Sequence, residues 1–347
     1  MSSKRNSVAQ VNFLLLAIGA LGIAGGCGTS TSTTPPIVQA KNIYVTQTGS
    51  VEVFPIATNG NVAPTTTITD ATNAFGDAHR TAFDSSGKLY VVDAGSVAGS
   101  ESIVVFSANA TGAATPTATI TGTATGLHHS NGIALDAQGR IYVTNIDNSQ
   151  IPPVSSVTIY AAGATGNATP TTTITGSNTQ LDDPNGITLD SNGKIYVANE
   201  GTTINATGSV TVYPAGSTGN ATPSAVITGA TSAMNSPHAV ALDSSGKIYV
   251  TNAPASVNIY AAGTTGNVAP STTISGANTG LSNPNGITVD PEGNIYVVSN
   301  TFGGTDVGFI LVFPASATGN VAPSATITGA TTGLDAGNTV VHGISVR

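Results

Sequence analysis

From residue 42 onward the apolar positions fall in short runs rich in Val, Ile, Thr and Tyr, bounded by Gly, Pro, Asn and Asp. Runs of that length and make-up predict β-strands. Beyond the amino-terminal apolar segment, no stretch carries the 3.6-residue period of an amphipathic helix. The strands recur in one unit: an apolar strand, a D-x-x-G turn, an I-Y-V strand, a variable loop, a β-branched run, then G-N-x-x-P and T-I-T-G. The I-Y-V element opens at Ile43, Leu89, Ile141, Ile195, Ile248 and Ile295. That spacing of about fifty residues is the period of a propeller blade, and six copies predict six blades.

The two ends of the repeat are complementary. The first unit starts at Asn42 without an opening strand, and the last supplies only that strand, from His342 to Arg347. Pairing the carboxy-terminal strand with the first three amino-terminal strands completes a sixth sheet and removes the open edges of a linear array. The expected fold is therefore all-β: a six-bladed β-propeller of four-stranded antiparallel blades over residues 42–347. The turns opening at Asp84, Asp136, Asp190, Asp243 and Asp290 are hairpin turns, in which Asp accepts local backbone hydrogen bonds and Gly supplies a positive φ. Each Asp is accounted for by its own turn, so the five do not make a calcium array.

The first residues carry a different message. Lys4 and Arg5 precede an apolar run from Val11 to Ala24 that ends in Gly25, Gly26 and Cys27. A basic start, a short apolar segment and small residues are the parts of an export signal. Cys27 is the only cysteine in the chain, which excludes an intramolecular disulfide. The Ser, Thr and Pro that follow predict a flexible tether. The organisation expected is an export signal over 1–26, a tether over 27–41 and the propeller. With nine Lys plus Arg against a net charge of −8, the chain has no basic stripe for nucleic acid or for an anionic membrane surface.

Two resemblances sharpen this. The segment Ala24 to Cys27 is similar to the lipobox of bacterial lipoproteins, which implies lipidation of Cys27 and an outer-membrane or cell-surface location; without it, the chain would be periplasmic or secreted. The stretches NGITLDSNGKIYV, from Asn185, and NGITVDPEGNIYV, from Asn285, resemble NHL repeats of the TolB-like six-bladed propellers. That family includes binding scaffolds, lyases and hydrolases, so the likeness speaks to fold rather than activity. The G-N-x-x-P element is a departure from its pattern.

If the opening strand of each blade lines the central channel, its first residue lies at one rim. These positions hold His79, Asn131, Asn185, His238, Asn285 and His342, a polar ring expected to bind ligand. The second strands should end on the same face, at Asp93, Asn145, Asn199, Asn252 and Asn300. His129, two residues before its rim position, adds a trio on alternate blades, His129, His238 and His342, which would suit zinc or another divalent ion. The trio is similar to the zinc site of the peptide α-amidating lyase propeller, while Arg80 offers a cation for an oxyanion. Gluconolactonase-type propellers hold calcium through axial Glu, Asn and Asp, whereas Glu52, Glu101, Glu200 and Glu292 are expected away from the axis.

No complete catalytic set emerges. The reading that follows is an exported, monomeric, non-catalytic binding propeller with no required cofactor, taking a protein, peptide or glycan at the rim and meeting the membrane only through its lipid. The alternative is a metal-dependent lyase or hydrolase working at the channel mouth.

Overall fold

The computed structural model describes residues 42–72, 76–95, 97, 99–201, 208–301, 307–334 and 340–347. The expected export segment and tether, with Cys27, lie outside the described residues. Six sheets make up the propeller. In the fourth blade the strands Pro184–Leu189, Ile195–Asn199, Ser209–Tyr213 and Ala225–Ile227 follow one another from inside to outside. The other blades repeat this order. In the sheet that closes the ring, Val341–Val346 pairs with Asn42–Gln47, setting Ser345 opposite Tyr44 and Ile344 opposite Val45.

The I-Y-V triplet fits its place because a strand turns alternate side chains to opposite faces. Leu89 and Val91 pack toward the first blade, while Tyr90 and Val92 pack toward the third. Ile295 and Val297 likewise join the cluster shared with the fifth blade, and Tyr296 and Val298 the one shared with the first. The core is accordingly not one central mass. It is six apolar wedges, one between each pair of neighbouring blades. The third strands end in fully buried Tyr160, Tyr213 and Tyr260 or in Phe54, Phe106 and Phe313. Where the residue is Tyr, its hydroxyl donates to a buried carbonyl, of Thr125, Thr179 and Ser232 respectively.

The D-x-x-G turns behave as expected. The Oδ1 of Asp84, Asp136, Asp190, Asp243 and Asp290 accepts the N–H four residues on, at 2.8–3.0 Å. In three blades the second oxygen also takes a tyrosine hydroxyl, from Tyr142, Tyr249 and Tyr296.

The G-N-x-x-P element proves to be a latch between blades. Its glycine pairs with the outer strand of the preceding blade, as Gly166 does with Ile120 and Gly60 with Ile327. Its asparagine then reaches past that strand. Asn61, Asn167, Asn220, Asn267 and Asn320 accept the backbone N–H of Thr331, Ala124, Asn178, Thr231 and Asn278 at 2.7–2.8 Å. A glycine must face each amide: a Cβ on Gly276 would lie 2.6 Å from Asn320 Oδ1, and its φ is +113°. One junction differs. Ala113 stands where the others have Asn, Asp70 replaces the facing glycine, and the Asp70 carboxylate itself takes the Thr72 N–H at 2.7 Å. There the strand Gly112–Ala114 pairs in parallel with Thr66–Asp70, giving the closing sheet a fifth strand that the repeat did not predict.

Two outcomes follow for stability. Gly276→Ala is expected to lose about 1–3 kcal/mol through overpacking against Asn320, measured as a fall in thermal midpoint. Deleting residues 342–347 removes the inner strand of the closing sheet and should abolish the single cooperative transition in calorimetry.

Candidate functional site

All six rim residues, His79, Asn131, Asn185, His238, Asn285 and His342, converge with Arg80 on one cavity of about 100 Å³ at the mouth of the channel. Five of the six stand second in an inner strand and Asn131 lies two residues before the strand Ile133–Leu135, and six-fold repetition brings them together although they lie about fifty residues apart in sequence.

Several of these side chains satisfy one another. Asn131 Oδ1 lies 2.8 Å from His79 Nδ1, Asn285 Nδ2 donates to the Val341 carbonyl at 3.0 Å, and Asn185 Oδ1 accepts from Arg80 at 2.7 Å. The second strands do end on this face, with Asp93, Asn199 and Asn252 paired opposite Ala78, Pro184 and Pro237. Their side chains do not line the cavity: Asp93, Asn145, Asn199 and Asn252 are buried and staple the loop before an inner strand, and buried Asn300 bonds the Val341 backbone. Asn145, for example, accepts from His128 N–H and Ser130 Oγ and donates to Val143 O and Thr158 Oγ1. Buried polar groups need such partners.

The expected histidine trio is not what the fold gathers. His238 turns to Glu200, 3.5 Å away, and to the Pro284 carbonyl. His129 lies edge-on to His79 with ring centroids 6.1 Å apart. The cluster with convergent donors is Asp77, His79 and His342, whose ligand atoms all lie within 4.8 Å of one another. His79 Nε2 is 3.2 Å from Asp77 Oδ2, His342 Nε2 is 3.5 Å from Asp77 Oδ1, and the two rings stack at 4.3 Å.

The electrostatics suit a cation there. The hydrogen bond from His79 holds the Asp77 carboxyl below its usual range. Burial, reinforced by the nearby His79 and Arg80, pushes the His342 imidazole down to about 3. An ionised carboxylate and a neutral imidazole are the forms that bind metal. Asn131 Oδ1 accepts from His79 Nδ1–H, so the proton that His79 Nε2 shares with Asp77 is the one a metal ion would replace.

Across the mouth stands a second acid–histidine pair. Glu200 is held down to about 2 by its bond to His238, with Ser236 Oγ donating at 2.7 Å. Beside it, burial and the Glu200 charge raise Asp183 to about 6. The expectation that the glutamates stand clear of the rim fails for Glu200, whose carboxylate lies 3.5 Å from Nε2 of the rim residue His238. Asp77 and Asp183 were missed for a related reason. They stand two residues before a rim position, the offset already noted for His129, and this repeated offset forms a second ring around the first.

The chain matches the family described as SMP-30/Gluconolactonase/LRE-like region over residues 81–261. It belongs to that family. A family described as Beta-propeller repeat matches residues 272–304. A solved structure of a protein of unknown function from Bacteroides caccae shares the fold at 9% identity and a TM-score of 0.59, covering 88% of this chain and 98% of that one. The WD40 β-propeller domain of Doa1 aligns at 13% identity and a TM-score of 0.45, over 74% and 70% of the two chains. No curated protein matches the chain. Within the SMP-30/gluconolactonase-like family, this member carries His or Asn at all six rim positions, with its carboxylates on the surrounding ring.

A titration follows from the burial of His342. Its folded-state pKa, about 3, lies below the ordinary 6.5, so the unfolded chain binds the extra proton first as pH falls. The stability it contributes is complete above 6.5 and is lost as pH falls toward 3. Asp183 acts in the opposite sense, its contribution being lost as pH rises through about 6. In metal-free protein, His342→Gln should flatten the acid limb of the stability curve. NMR should show the His342 ring still neutral at pH values where free histidine is charged.

Proposed function

We propose that this propeller is a divalent-metal-dependent hydrolase of the lactonase class, working at the channel mouth of an exported protein. The observation that carries the reading is the convergence of Asp77, His79 and His342. Two imidazoles and a carboxylate with room for a further ligand are a donor set for zinc or a similar ion. An ion bound there supplies a Lewis acid for a carbonyl oxygen and lowers the pKa of bound water. Around it, Asp77 orients His79, Asn131 fixes the His79 tautomer, and His238 with Glu200 can accept or give a proton at the same cavity. Asp183 and Glu200, pushed apart in pKa, form the kind of pair from which acid and base roles are drawn.

A non-catalytic binding propeller, taking a peptide, glycan or protein at the rim, is the second reading. What favours it is that no rim position holds the axial Glu and Asp of the gluconolactonase-type calcium site. Both readings keep the finer kinship to NHL and TolB-like propellers, the domain limits 1–26, 27–41 and 42–347, and lipidation at Cys27.

Protein purified without chelator should contain about one zinc or similar ion per chain by elemental analysis, and Asp77→Asn with His342→Ala should lose it. Metal-loaded protein should hydrolyse gluconolactone, and chelation should stop the reaction. Metal uptake without hydrolysis of any lactone would favour the binding reading, and no uptake would overturn the metal site. Separately, wild-type protein should fractionate with membranes and Cys27→Ser should not, because each buried methylene of a lipid contributes about 0.8 kcal/mol. Soluble wild-type protein with an unmodified amino terminus would refute lipidation and leave the propeller untouched.

A further inference from the structure

Beneath the mouth, the channel continues as a cavity of about 270 Å³ bounded by the inner strands. Arg80 lies between the two spaces and lines both. Its guanidinium reaches across the axis from the second blade. Nη2 donates to Asn185 Oδ1 at 2.7 Å and to the carbonyls of His238 at 2.9 Å and Asn285 at 3.3 Å. Nη1 makes only long contacts, 3.5 Å each, to the Asn285 and His342 carbonyls. Nε is shut off from solvent and has no protein partner.

Every one of these acceptors is neutral. Among the described residues no carboxylate forms an ion pair with Arg80, and the only anion to bear on it is Glu200, through space. Burial lowers the guanidinium to about 10, so it stays charged at neutral pH. A buried charge without a counter-ion is costly. The cavity below it makes up that lack. Among the described residues Arg80 is its only charged lining residue, and Thr81, Thr188, Thr288 and Ser345 also line it, the Thr81 and Ser345 hydroxyls bonding one another at 2.7 Å. The inner strands also have one edge without a strand partner, so backbone N–H groups are available there.

The geometry points to a small monovalent anion of chloride size held in the central channel against Arg80. One positive charge calls for one negative charge, and the space takes such an ion with a few waters. The site is separate from the metal cluster: it lies below Arg80, is bounded by hydroxyls, and uses none of Asp77, His79 or His342.

The test uses the folded wild-type protein and bromide as the probe. Crystals soaked in bromide should show anomalous density in the channel within hydrogen-bonding reach of the Arg80 guanidinium. In solution at constant ionic strength, replacing a bulky organic sulfonate by chloride should raise the thermal midpoint by a few degrees per tenfold increase in chloride. Arg80→Met should abolish that dependence. If Arg80→Met fails to fold, the soak and the wild-type titration still decide. Bromide absent from the channel, with the midpoint indifferent to chloride, would overturn the proposal. Metal content measured on the same preparation is unaffected by that result, so failure of the anion site and failure of the metal site are told apart.

Discussion

A propeller blade has two apolar faces and cannot bury either alone, so each sheet depends on the one beside it. Here the dependence runs through six interblade wedges of Val, Ile and aromatic side chains. The wedge between the sixth and first blades joins Tyr296 and Ile310 to Ile43, Phe54 and Ile344. It exists only because the carboxy-terminal strand completes the amino-terminal sheet. Without that pairing, two sheet faces and two strand edges would meet water at once.

The latch at the outer circumference serves the same constraint by polar means. Each asparagine of a G-N-x-x-P element satisfies an N–H on the preceding blade, and a glycine there makes room for it. The exception is informative: at the junction with Ala113, Asp70 replaces the glycine and satisfies the neighbouring N–H from its own side. The same donor is satisfied by two different chemistries, so the requirement is the hydrogen bond rather than the residue.

Polar and charged side chains converge where the six inner strands meet. A rigid ring brings groups with opposing demands within a few ångströms: a carboxylate and imidazoles seeking a cation at the mouth, and a buried guanidinium seeking an anion below. Arg80 links the two, because the carbonyls it binds belong to rim residues His238, Asn285 and His342. Its charge also helps keep His342 unprotonated. The mouth and the channel are thus electrostatically coupled through one side chain.

Much of this was legible in the chain itself. Strand period, the D-x-x-G turns and the complementary ends determined the number of blades, the closing pair and the six rim positions, because those are local patterns repeated at fixed spacing. Tertiary structure decided which polar residues are spent on holding the fold. Asn145 and Asn199 look like Asn131 and Asn185 in sequence, yet the first two are consumed by loop hydrogen bonds while the latter reach the mouth. It also decided the grouping of the histidines. Spacing suggested alternate blades, but side-chain direction and the Asp77 carboxylate draw His79 and His342 together and leave His238 to Glu200. Such pairings depend on angles and charges between distant segments, which no spacing along one strand encodes.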